Sequence, residues 1–143
     1  MAEFTYNPVQ EVAVGGNVIL NSSISCNKGY VLHRNESGLV TLRGIVNNPY
    51  GRFARYRVQF DANIAVPTGE TAGPISVSVA IGGEALPTSN AIVTPTVADA
   101  YFNVVSFAII DVPVGCCNTI AIENTSTIPI NVQNANLEVT RIA

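Results

Sequence analysis

Residues 101–110, YFNVVSFAII, carry apolar side chains at both parities: Tyr101, Val105, Phe107 and Ile109 at odd positions, Phe102, Val104, Ala108 and Ile110 at even ones. A strand points successive side chains to opposite faces, so a strand of this kind needs cover on both. In a parallel sheet helices supply that cover, but the chain offers no convincing helix. A second subunit is the expected cover. Tyr101, Phe102, Val104, Phe107, Ala108 and Ile110 are the residues expected to meet it.

The composition agrees. Charged residues make up 12% of the 143 residues and apolar ones 48%, with mean hydropathy +0.32; soluble domains usually carry roughly 25% charge. A small monomer with so few charges would be poorly solvated, so an oligomer is expected ahead of a monomer coated in Asn, Ser and Thr. The length fits one domain with a sizeable core. A net charge of −3 and a pI near 4.9 argue against a nucleic-acid footprint. Arg52, Arg55 and Arg57 read as the solvated face of one strand.

The opening MAEFTYNPVQ is acidic and broken by Pro8, unlike a signal peptide, and the apolar stretch around Val104 to Ile110 stops at Asp111. That is far short of the ~20 residues a spanning helix needs. A soluble product made in the cytoplasm is expected, with no membrane partner. The three cysteines, Cys26, Cys116 and Cys117, lack CxxC spacing, and His33 is the sole histidine. A zinc site of four N or S ligands is therefore not expected, and the thiols read as reduced small hydrophobes.

Turn signals recur at short intervals: Gly15-Gly16, 27–29, 35–38, 47–51, 67–69, Gly82-Gly83, Pro95, 113–115 and 124–127. Short β-rich runs lie between them, the pattern of an all-β sandwich or barrel. Strands are expected over 9–14, 17–21, 29–33, 39–45, 54–66, 75–81, 91–94, 100–112, 119–123 and 130–142. About ten strands suit a two-sheet antiparallel jelly roll. The most regular is 55–64, where Tyr56, Val58, Phe60, Ala62 and Ile64 share one face and Arg55, Arg57, Gln59, Asp61 and Asn63 the other. Ile75, Val77, Val79 and Ile81 alternate with Ser76, Ser78 and Ala80 in the same way, as do Ile120 and Ile122 with Thr119, Ala121 and Glu123. In the last run Ile130 and Val132 set an even phase and Leu137 and Val139 an odd one. A bulge or break is therefore expected between Gln133 and Asn136. No linker divides the chain.

Several segments in this order resemble the tumour-necrosis-factor and complement globular-head superfamily of jelly rolls, especially its bacterial and phage branch. GGNVIL is similar to that superfamily's early glycine-led strand, and SGLVTLRG followed by FARYRVQFDANI to its G-x-Y-x-V-x-F core strand, with Arg55 where glycine is often found. ISVSVAIGGEALP, VGCCNTIAIENTST and NVQNANLEVTRIA resemble the later strands and turns. The resemblance covers nearly everything after residue 8, so it implies an extension over 1–8 and a single TNF-like jelly roll over 9–143. It also implies a homotrimer. No collagen-like Gly-X-Y tract precedes the head, and Glu70, Glu84, Asp99, Asp111 and Glu123 are scattered singly, without the acidic cluster of a calcium loop.

Nothing in the sequence recommends a catalytic centre. A hydrolytic triad needs a nucleophile with a base in reach, and the lone imidazole, His33, reads as an exposed strand end. Cys116 and Cys117 beside Gly115 carry no nucleophile signature. No carboxylate pair stands out, and the glycine pairs lack a phosphate-loop frame, so no cofactor is expected. The N-x-S/T triplets at Asn21, Asn35 and Asn124 read as chance in a chain rich in those residues. The expectation is a non-enzymatic trimeric structural protein, a phage capsid decoration or head-fibre protein on the virion. The alternative is the globular head of a bacterial surface or spore-coat assembly that binds a glycan or receptor.

Overall fold

A computed structural model describes residues 2–22, 31–33, 36–44, 53–114 and 117–142. Cys26, Cys116, Arg52, Asn35, the turns at 27–29 and 47–51 and the first two residues of the strand expected over 29–33 lie outside the described residues. Within them the regular structure is β, apart from one 3-10 turn, Pro87–Ser89. In the first sheet the order is β10 (Phe102–Pro113), β6 (Phe53–Ala65), β12 (Ile130–Arg141), β1 (Ala2–Tyr6), β3 (Asn21–Ser22), with β2 (Gln10–Val12) also on β12. In the second it is β4 (Val31–His33), β5 (Val40–Leu42), β11 (Asn118–Asn124), β7 (Ile75–Ile81), β8 (Glu84–Ala85), with β9 (Ala91–Val93) also on β7. All pairings are antiparallel. The chain changes sheet between β3 and β4, β5 and β6, β6 and β7, β9 and β10, β10 and β11, and β11 and β12, which is the jelly-roll connectivity.

The core follows from period-two patterning. Tyr56, Val58, Phe60, Ala62 and Ile64 of β6 point inward and are buried, facing Ile75, Val77, Val79, Ile120 and Ile122 of the second sheet. Tyr56 keeps its polar tip satisfied by donating its hydroxyl to the Arg43 carbonyl at 2.6 Å. In β12 the pairing with β6 shifts register between Gln133 and Asn136, where the phase change required it. Asn134 takes φ 54° there, a left-handed conformation that Asn tolerates, and its N–H bonds the Asn7 carbonyl at 3.2 Å. The bulge lets Ile130 and Val132 as well as Leu137 and Val139 face the core.

Two expectations need correction. Residues 1–8 are not an extension ahead of the jelly roll: Ala2–Tyr6 is β1, paired along β12 from Ala2↔Val139 to Tyr6↔Ala135 and along its other edge with β3. Ala2 and Phe4 are buried while Glu3 and Thr5 face out, an alternation too short to stand out beside Pro8. Nor is the Ser76, Ser78, Ala80 face of β7 wet. Ser78 is only 1% exposed, because the chain from Leu86 to Val93 folds over this edge. The Ser89 hydroxyl accepts the Val79 N–H at 3.0 Å and donates to the Leu86 carbonyl at 2.8 Å, and the Leu86 N–H bonds the Val79 carbonyl at 2.8 Å. Gly82 and Gly83, with φ 59° and 89°, make the two-residue turn from β7 to β8.

Candidate functional site

β10 is the outermost strand of the first sheet and, among the described residues, pairs with β6 alone, in an unbroken register from Phe102↔Ile64 to Pro113↔Phe53. That register decides its two faces. Ser106 lies opposite Phe60 and Ala108 opposite Val58, so the even residues Val104, Ser106, Ala108, Ile110 and Val112 point into the core and are buried. Ser106 is the polar member of that row, and its hydroxyl donates to the Ser89 carbonyl. The odd residues point outward: Val105, Phe107 and Ile109 are 52%, 47% and 54% exposed.

The expected contact set therefore divides. Tyr101, Phe102 and Phe107 lie on the surface, Phe102 because it opens the strand where the core ends. Val104, Ala108 and Ile110 do not: their cover is the opposite sheet of the same subunit, not a second chain. Val105 and Ile109, which the sequence reading left out, complete the exposed column. Their signal was present in Asn103 and Asp111, polar residues of the same odd parity that bracket the apolar run.

The column is an apolar strip framed by polar side chains. At one end Arg55 grips Asp111 across the β6–β10 pair, its Nε at 2.7 Å from Oδ1 and its Nη2 at 3.0 Å from Oδ2. The Phe53 ring centroid lies 5.0 Å from the same guanidinium. The hydrogen bond from Arg55 holds the Asp111 carboxyl below its ordinary value, against a smaller opposing effect of desolvation, and the same pairing raises Arg55. At the other end Asn103 donates to Asn63 Oδ1 at 3.3 Å. Beside the strip, in β6 and β12, run Arg57, Gln59 and Asp61, then Thr140, Glu138 and Asn136, with Arg57 3.5 Å from Glu138.

The remaining chemistry-bearing residues are dispersed. His33 points inward, its ring centroid 4.6 Å from that of Phe4, and its Nε2–H meets the Ser37 carbonyl at 2.9 Å. That bond sets the tautomer and corrects the expectation of an exposed strand end. Cys117 is exposed ahead of β11. Among the described residues no group of His, Cys, Asp and Glu could hold a metal ion. Asn124 is buried: its amide nitrogen lies 3.1 Å, 3.3 Å and 3.1 Å from the carbonyls of Val12, Ala13 and Ile128, and its Oδ1 accepts the Ser126 N–H at 2.9 Å. It ties the first loop to the last and is inaccessible as an acceptor of sugar.

No protein-family model and no curated protein matches the chain. Solved structures do match. The globular domain of zebrafish complement 1qA protein aligns with a TM-score of 0.65 over 99% of this chain and 96% of that one, at 12% identity. Murine APRIL at pH 5.0 aligns with a TM-score of 0.65 over 99% and 98% at 11% identity, and its pH 8.5 form with 0.57 over 97% and 98% at 11%. The chain thus has the TNF/C1q-like jelly-roll fold, and the likeness spans both chains almost end to end.

Proposed function

We propose that this protein is a non-enzymatic structural protein that works as a homotrimer on the surface of a larger particle, as a phage capsid decoration or head-fibre protein of the virion. The observation that carries the self-association is the β10 column. Val105, Phe107 and Ile109 stand about half exposed on one edge strand, in a protein with 12% charged residues. A contiguous apolar strip with a polar frame is the composition of a protein interface with a dry centre and a polar rim. The three-fold stoichiometry and the virion rest on the sequence resemblance. Because residues 2–6 are a sheet strand, docking to the particle falls to the surface of the jelly roll rather than to a leading segment.

The test is reconstitution. Purified protein is mixed with particles lacking it and sedimented, and its mass is measured by light scattering. A species near 45 kDa, three times the 15.1 kDa subunit, that co-sediments with particles supports the reading. A 15 kDa species at micromolar concentration refutes the trimer. A trimer that joins no particle but binds defined glycans replaces the virion with a bacterial or spore surface head.

A further inference from the structure

The main chain of β10 points half of its hydrogen-bonding groups away from the sheet. Successive residues of a strand direct their N–H and C=O groups to opposite sides. The Ile142 N–H bonds the Arg55 carbonyl at 2.8 Å, so the odd residues of β6 bond toward β12 and its even residues toward β10. Opposite those even residues lie the even residues of β10, from Phe102↔Ile64 to Val112↔Ala54, without a shift. The N–H and C=O groups of Asn103, Val105, Phe107, Ile109 and Asp111 therefore point off the free edge, and among the described residues nothing bonds them. The chain at 86–93 reaches β10 through the Ser106 hydroxyl, which faces the core, and leaves these edge groups unbonded. Pro113, which has no N–H to give, falls at the same parity.

An open edge of this kind is a template for a further strand, and proteins blunt such edges with short strands, charges, prolines or bulges. The other marginal strands follow that rule, β3, β4 and β8 having two or three residues each. β10 has 12 residues, pairs in an unbroken register, and carries no charge and no proline from Phe102 to Ile110.

The side-chain order along the edge selects the occupant. Turned about a two-fold axis through Phe107, a second copy of β10 runs antiparallel to the first. Phe107 then falls opposite its own copy, Val105 opposite the copy of Ile109, and Asn103 opposite the copy of Asp111. Apolar meets apolar at the centre, and at each end an amide donor meets a carboxylate. Arg55 takes one bond from each Asp111 oxygen, and a carboxylate oxygen can accept a second. These are the pairs in which both residues exchange N–H···O=C bonds, so every free group of the edge finds a partner. A shift of two residues either way sets Asn103 against Ile109 or Asp111 against Val105.

We propose that two copies of the protein join along their β10 edges, antiparallel and centred on Phe107, into one continuous sheet. Main chain makes this contact and the side-chain column still faces outward, so the contact stands whether or not further subunits cover that column. Light scattering of the full-length protein at micromolar concentration separates the two associations. A mass of about 30 kDa, twice the 15.1 kDa subunit, supports the edge contact alone, and about 90 kDa supports a pair of trimers. A mass of about 45 kDa or 15 kDa overturns the edge contact. The register is read by cross-linking in a protein whose Cys26, Cys116 and Cys117 are changed to Ser. Cα atoms of such a pair lie about 5.5 Å apart, within the range of a disulfide. With Asn103→Cys and Asp111→Cys together, oxidation should give a covalent dimer on a non-reducing denaturing gel, whereas either substitution alone should leave the single-subunit band. The two positions are roughly 27 Å apart along one strand, too far for a bridge within a subunit. A double variant that stays a single subunit, or a single variant that cross-links as fully as the double, overturns the proposal. In the unsubstituted protein the amides of Val105, Phe107 and Ile109 should resist hydrogen exchange as well as those of their even neighbours; fast exchange at the odd amides alone also overturns it.

Discussion

Phe107→Asp separates the two faces of β10. The ring is 47% exposed in the subunit, so of the ~200 Å² that a phenylalanine buries when fully enclosed, roughly 95 Å² remains for a partner to cover. At ~25 cal/mol per Å² that is about 2.3 kcal/mol per subunit, and about 7 kcal/mol over the three copies in a trimer. Aspartate forfeits all of it and adds a charge that must lose water. The trimer dissociation constant should rise by about five orders of magnitude, at ~1.4 kcal/mol per tenfold. The subunit itself should survive, because Phe107 touches solvent rather than the core. Light scattering at micromolar concentration should report 15.1 kDa, with circular dichroism unchanged. A variant that keeps the trimeric mass refutes the assignment of this column, and a variant that unfolds refutes the assignment of faces.

Phe60, fully buried on β6, should cost roughly 3–5 kcal/mol when changed to Ala, whereas Gln59→Ala on the outward face should stay within about 0.5 kcal/mol; equal losses in denaturant titration would mean the faces are misassigned. Asp111 should titrate below the ordinary carboxylate range because Arg55 bonds its charged form. The stabilisation from that pair is present above the ordinary value and is lost as pH falls through the depressed one. NMR titration in Arg55→Ala should return Asp111 upward, and an unmoved midpoint would show that another group holds it down. Deleting residues 1–8 removes β1 and the buried Phe4, so the truncated protein should be strongly destabilised in thermal melts; a cooperative melt near the parent's would show that β12 and β3 manage without it.

How much the sequence discloses depends on how many positions repeat a pattern. β6 gives five inward and five outward residues without exception, and its face assignment is correct to the last residue. The phase conflict in β12 locates a bulge to within three residues because a strand packed on one face cannot change parity otherwise. β10 defeats the same reasoning, since two apolar faces look alike until pairing with β6 puts Ser106 opposite Phe60. Half of the expected contact residues then turn out to be core. β1 has only Ala2 and Phe4 to set its phase, too few to separate from chance. The buried face of β7 is decided by the distant segment 86–93, and no local pattern in Ser76, Ser78 and Ala80 announces it.

The β10 column and the outer face of the second sheet lie on opposite sides of one sandwich. Inward packing joins the sheets at about 10 Å, so the β10 column and the outer face of the second sheet point away from each other with the core between them. A partner chain on the column therefore leaves the outer face of the second sheet uncovered. The chemistry of the column suits that separation, because its apolar side chains gain by losing water. The strand order produces this arrangement. β6 and β12 occupy the centre of the first sheet and push β10 to its rim. β7 and β11 occupy the centre of the second, where every neighbour of Glu123 is a strand or a loop bonded to one. The edge strand is placed for association between subunits.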